Sequence, residues 1–287
     1  MHGAKPAWPK MHACAHDIRS GGANVLPGLR KSGRKPAMTI NNDDELQALR
    51  EIGRIVAEAL AAMGKALEPG MTTAELDAIG RGILDREGAR SAPETVYGFP
   101  GATCISVNEE VAHGIPGERR IAAGDLVNID VSAEKGGYFS DTGASFTVPP
   151  VDRRIERLCR DGKRALFAGL GQVGAGKPLA GIGQAVGRFA QKNGYSLVRN
   201  LASHGIGRSL HEEPKEIATW PERSERRIMQ KGLVFTVEPF LSLGADWAEH
   251  EGDDRWTLYS EPRAPTVQFE HTVVATANGP WILTLPA

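Results

Sequence analysis

Cysteine is scarce in this sequence: Cys14, Cys104 and Cys159 stand far apart and in no C-x-x-C spacing. Neither a disulfide framework nor a zinc knuckle is expected from them. No apolar run approaches the roughly 20 residues that a bilayer span needs, and the N-terminus lacks the continuous apolar region of a secretory signal. A soluble, cytoplasmic protein with no membrane partner is expected. Neither sign of charge dominates, since 34 Lys and Arg face 35 Asp and Glu for a net charge of -1. That near-balance hides an asymmetry. Residues 1–37 hold seven Lys or Arg against Asp17 alone, which leaves 27 basic and 34 acidic residues in 38–287. The main body is mildly acidic, so no sequence-specific nucleic-acid partner is expected.

Several catalytic motifs are also missing. There is no G-x-S-x-G nucleophile elbow, and Lys215 stands where H-E-x-x-H would place its second His after His211-Glu212. The run Gly171–Lys177 has the glycines of a phosphate loop, but Pro178 replaces the Ser or Thr that would hold magnesium. Nucleotide hydrolysis and side-chain nucleophilic hydrolysis of these types are therefore not supported.

The 287 residues, 41% hydrophobic and 24% charged, suffice for one large domain or two small ones. Residues 1–37, rich in Gly, Pro, Ala and basic side chains without apolar periodicity, read as a disordered basic extension. The folded domain is expected over 38–287, with Met38 a candidate true start. Leu46, Leu49, Ile52, Val56 and Leu60 recur at helical spacing behind the capping candidates Asp43 and Asp44. Thr72–Glu75 forms a capping box that opens a helix to about Glu87.

The segment Leu126–Thr142, LVNIDVSAEKGGYFSDT, is the most informative stretch. Its apolar residues mark a buried strand that contains Asp130, and Lys135-Gly136-Gly137 turns the chain into a hairpin that brings Asp141 towards it. Two carboxylates at close range repel, and a shared proton or a cation must settle them. From the hairpin alone, one salt-bridged core Asp and one turn Asp is an equally good reading.

The second half repeats the first. Helices are expected over Val151–Leu170 and from Pro178 to about Asn193, then strands Leu233–Phe240 and near Val267–Ala275. Gly70 and Gly176 open equivalent helices, Gly124 and Gly232 open equivalent strands, and in each strand an acid falls six residues after the glycine: Asp130 in GDLVNID, Glu238 in GLVFTVE. This predicts an α/β fold of duplicated helix–helix–strand units with carboxylates meeting near a pseudo-twofold axis. Glu270 opens a further apolar strand, and His204 lies among glycines. Four carboxylates and one imidazole suit hard or borderline divalent ions, and can serve two ions if two acids bridge.

His113-Gly114-Ile115-Pro116, Asn128-Ile129-Asp130-Val131, Asp141-Thr142, His204-Gly205-Ile206-Gly207, His211-Glu212-Glu213-Pro214, Phe235–Pro239 and Glu270-His271-Thr272 resemble, in order and spacing, the type I methionine aminopeptidases. The resemblance covers residues 40 to about 285. It implies the pita-bread fold with a mainly antiparallel sheet, and removal of the initiator methionine by a monomer acting on nascent chains at the ribosome. It implies two divalent ions (Co, Mn, Fe or Zn) held by Asp130, Asp141, His204, Glu238 and Glu270, with Asp141 and Glu270 bridging. Glu238 would carry the proton to the leaving amine, His211 would stabilise the oxyanion, and His113 would hydrogen-bond the scissile amide. Phe99, Cys104 and Trp256 match positions that line the methionine pocket. Pro93, Val96 and Leu210 depart from the family pattern there, which implies a relaxed side-chain preference. X-Pro peptidases and non-catalytic binding proteins of the same fold are the alternatives.

Overall fold

The computed structural model describes residues 37–251 and 253–286. The extension expected over 1–37 therefore lies, up to position 36, outside the described residues. Helix α1 (Asp43–Ala66) is capped by Asn42 rather than by the expected Asp43 or Asp44. Asn42 alone has the extended backbone that lets its side chain accept from Glu45 N, while both aspartates lie inside the first turn and favour its positive dipole end. Helix α2 (Thr73–Arg86) opens on the expected capping box, with Thr72 and Glu75 satisfying each other's backbone N–H groups. A helix that the apolar pattern does not announce, α3 (Ala92–Tyr97), follows between the Ser91 cap and Gly98.

Strand β1 (Cys104–Val107) and the hairpin β2 (Leu126–Lys135) and β3 (Tyr138–Thr147) form the sheet of the first half with the two-residue strand Arg90–Ser91; β3 lies along one edge of β2, and β1 and Arg90–Ser91 along the other. Helices α1 and α2 cover it through Ile52, Ile55, Val56, Met63, Leu76 and Leu84, packed on Val127, Ile129 and Val131. Helices α4 (Arg153–Leu170) and α5 (Ala180–Asn193) cover the second half in the same way. There β4 (Ser203–Gly205), β5 (Glu212–Ile217), β6 (Val234–Val237), β7 (Phe240–Ser242), β8 (Thr266–Gln268) and β9 (His271–Thr276) pair antiparallel, as do all strand pairs of the described residues.

The duplication read from the glycines is present in the backbone. Gly70 and Gly176 have φ of 95° and 81°, Gly124 and Gly232 of 97° and 84°. Their amides make matching bonds: Gly70 N to Ile121 O and Gly176 N to Met229 O, Gly124 N to Val148 O and Gly232 N to Ala275 O. The two halves meet where Ala144 bridges Phe269 and Glu270 N donates to Gly143 O.

Two strands expected to be continuous are each broken. Leu233–Phe240 divides into β6 and β7, and the last strand divides into β8 and β9. The β6–β9 pairing ends at Val237 opposite His271, and the β7–β8 pairing begins at Phe240 opposite Gln268. Glu238 and Glu270 sit in the gaps. Pro239 has no N–H to continue a ladder, and Glu238 N and Glu270 N leave it for Ser203 Oγ and Gly143 O. Both acids are thereby freed to turn towards the junction of the two halves.

Candidate metal centre

Register places the first two acids. Asp130 stands opposite Gly143 and Asp141 opposite Ser132; residues two apart on a strand share a face, so the two carboxylates are diagonal neighbours on one side of the hairpin. Cys104 pairs with Asp130 on the same side. From the other half, His204 on β4 approaches with Nε2 4.0 Å from Asp141 Oδ2 and 3.6 Å from Glu238 Oε1. Gly205 beside it has no room for a side chain, since a Cβ there would lie 2.3 Å from Glu213 O. Asp141, His204 and Glu270 each offer a ligand atom within 4.8 Å of the others, and all three are buried. Asp130, His113, His211, Leu210 and Pro93 line the same cavity with Asp141, His204 and Glu238.

The ligand side chains are held by polar residues to which the sequence reading gives no role, Asn128 and Thr236 within the motifs and Gln268 outside them. Thr236 donates to Glu238 Oε1 at 2.7 Å and receives His204 N at 3.0 Å. Asn128 donates to Gln268 Oε1 at 2.8 Å, and Gln268 donates in turn to Glu270 Oε2 at 3.0 Å. A signal for these supports is in the sequence: Asn128, Thr236 and Gln268 each stand two positions before an acid, on the same strand face, within apolar runs.

Whether this cluster fits a cation can be judged from its own atoms. His204 Nδ1 faces Gly205 O at 3.1 Å, and a proton held there leaves Nε2 a lone pair 3.6 Å from Glu238 Oε1 and 4.0 Å from Asp141 Oδ2. Asp141 Oδ1 and Glu270 Oε1 are buried without a hydrogen-bond partner, at a cost of about 1–3 kcal/mol or more for such a group. Acceptors facing acceptors need a positive charge between them, and the residues present fit divalent ions. Burial pushes Asp130 up to about 6 and Glu238 up to about 8. Asp141 and Glu270 are driven well above the carboxylate range, first by burial and then by the neighbouring acids. Burial lowers His204 and His113 to about 4 and His211 well below its usual value, with neighbouring histidines adding to the last two.

These shifts fix a pH dependence for metal-stripped protein. The histidines, neutral in the fold, contribute stability that is complete above their unfolded pKa of about 6.5. The raised carboxylates act in the opposite sense, because the unfolded chain ionises from about pH 4 upward while Glu238 stays protonated to about 8. From about pH 7 to 8 the unfolded histidines are mostly neutral as well, so the carboxylates dominate the change. The Tm of stripped protein should fall across that window, and saturating divalent metal should flatten the fall. An equal slope with and without metal would contradict the assignment of the cluster.

Phe99 and Trp256 meet edge to face at 5.3 Å and form one apolar cluster with Cys104, against which Tyr97 and Ile115 pack. Leu210 is buried at the cavity wall. Val96 departs from the pocket role expected of it: it is 43% exposed and does not line the cavity. Successive helical residues are turned by about 100°, so at the end of α3 it is Tyr97 that faces inward, with its Oη 2.7 Å from His211 Nδ1. The rings of His204 and His211 lie 4.0 Å apart.

Comparison with known proteins adds to this geometry. The sequence pattern of metallopeptidase family M24 matches residues 47–277. A Bacillus subtilis (strain 168) protein named methionine aminopeptidase 2 is 47% identical over 248 residues, which are 86% of this chain and 99% of that protein. The crystal structure of a methionine aminopeptidase from Rickettsia prowazekii superposes with a TM-score of 0.83 at 32% identity, covering 87% of this chain and all of that one. A prolidase from Pyrococcus furiosus shares the fold at a TM-score of 0.68 and 21% identity, but only 66% of its length is covered.

Proposed function

The chain belongs to metallopeptidase family M24, and from that premise we propose that it removes the N-terminal methionine from peptides and nascent chains, using two divalent ions held by Asp130, Asp141, His204, Glu238 and Glu270. Relatives that carry the methionine aminopeptidase name across nearly their whole length support the reaction. The observation that carries the ligand set is the meeting of four carboxylates and the His204 imidazole, with Asp141 Oδ1 and Glu270 Oε1 buried without hydrogen-bond partners. Prolidases share the fold, but the likeness there is at 21% identity.

Bound divalent ions would supply Lewis-acid polarisation of the scissile carbonyl and activation of water at neutral pH, where free water has a pKa of 15.7. The chain's own residues do the rest. Glu238, buried at the cavity wall beside His204, is placed to take a proton from the attacking water and pass it to the leaving amine. His211, at the cavity wall, donates a hydrogen bond to the oxygen that gains charge, and His113 holds the scissile amide. Cys104 at the cavity wall, with Phe99 and Trp256 packed behind it, would form the apolar side of the pocket for the methionine side chain. The proposed setting is the cytoplasm with the chain acting as a monomer, and no described helix is long and apolar enough to cross a membrane.

The direct test is release of the first residue from Met-Ala-Ser, Leu-Ala-Ser and Ala-Pro-Ala. Turnover of the methionine peptide should exceed that of the leucine peptide by a factor of about 10–200, the range that one or two methylene-sized contacts supply. Leu210, an aliphatic wall, sets that preference towards the lower end. Preferential cleavage of Ala-Pro-Ala would replace this reading with an X-Pro peptidase.

A further inference from the structure

We propose that Tyr97 is a positioning residue for the reaction: its hydroxyl donates to His211 Nδ1 and so holds the proton of the neutral imidazole on Nε2, as the donor presented to the substrate. The two side chains lie 114 positions apart in sequence and belong to different halves of the fold, yet Oη and Nδ1 are 2.7 Å apart and the ring centroids 5.8 Å. A neutral imidazole has one N–H and one lone pair, and the partner at one nitrogen decides which atom keeps the proton.

The direction of the bond follows from what faces each side. Tyr97 does not line the cavity, whereas His211 does, alongside Asp130, Asp141 and Glu238. The Tyr97 hydroxyl carries a proton at neutral pH and lies within hydrogen-bond reach of Nδ1, so a lone pair on Nδ1 and the ring proton on Nε2 satisfy both groups. Burial and the charge of Asp141 also keep the Tyr97 phenol protonated and able to donate. With Nδ1 accepting from Tyr97, the ring needs no rearrangement as charge develops on the substrate oxygen.

Tyr97 is held rigidly enough to act this way. It ends α3, which is fixed at its start by the Ser91 cap and at its middle by the two-pronged pair of Arg81 with Glu94, at 3.0 and 2.6 Å. Its ring packs against the Phe99, Cys104 and Trp256 cluster. The His204 ring also packs against His211, with centroids 4.0 Å apart and planes 35° apart.

The inference rests on the reading of His211 as the oxyanion donor, and the test separates the two. Tyr97→Phe keeps the ring and removes only the donor. It should retain metal and melting temperature, leave KM for Met-Ala-Ser within about twofold, and lower kcat by about 10–100-fold, the usual range for a group that orients a functional histidine. In a His211→Ala background the same substitution should change kcat by less than about twofold, since nothing is left to orient. Imidazole ¹⁵N spectra of Tyr97→Phe should show His211 shifting from a single protonated nitrogen to a mixture of tautomers. An unchanged kcat and tautomer in Tyr97→Phe, or an equal loss in the His211→Ala background, would overturn the role of Tyr97. Failure of His211→Ala to lower kcat would instead sink the oxyanion reading itself.

Discussion

Asp141→Asn and Glu270→Gln should each abolish metal binding and turnover together. Both acids are buried and each has an oxygen without a partner, and they stand with His204 in the tightest group of ligand atoms. An amide of the same shape removes a charge and aims an N–H at the place a cation would take. Loss of water activation costs several powers of ten at neutral pH, so kcat/KM should fall by at least about 10³-fold. The fold should survive. Removing one of four crowded carboxylates relieves the repulsion that drives their pKa values upward, so metal-free Asp141→Asn should melt at or above stripped parent protein at pH 8. Two ions per chain and normal turnover in either variant would show that the acids do not hold the metals.

His211→Ala should behave in the opposite way, keeping metal and losing rate. The ring lies 4.0 Å from that of His204 but belongs to a different strand connection, just before β5. Removing one oxyanion donor costs about 10²–10³-fold in kcat, with KM little changed because the bond strengthens as charge develops. Steady-state kinetics with metal analysis on the same preparation checks this. A raised KM at constant kcat would make His211 a ground-state binding residue.

Much of the centre is legible because a repeated unit leaves a mark that needs no packing information. The paired glycines Gly70 and Gly176, Gly124 and Gly232 hold left-handed backbone at the same points of two units, and Asp130 and Glu238 follow their glycines at equal distance. The hairpin too was readable, since Gly136-Gly137 joins two strands in the register that aligns Asp130 and Asp141. The breaks at Glu238 and Glu270 were not, because the apolar run continues across them while the hydrogen bonds change partner, and partners lie far away in sequence. Helix α3 escaped notice because six residues are too few for a helical period to emerge. The pocket role expected of Val96 comes from its place in the family pattern, which does not say how the side chain turns: on α3 the valine is exposed and its neighbour Tyr97 meets His211.

The most direct test of the central claim is a metal titration followed by activity. Protein stripped with chelator is returned to Mn(II) in steps, with bound metal measured by calorimetry and methionine released from Met-Ala-Ser measured in parallel. The account predicts binding that ends at two ions per chain, turnover that appears with binding, and loss of both in Asp141→Asn. Full turnover by stripped protein, or two ions bound with equal affinity by Asp141→Asn, would contradict it.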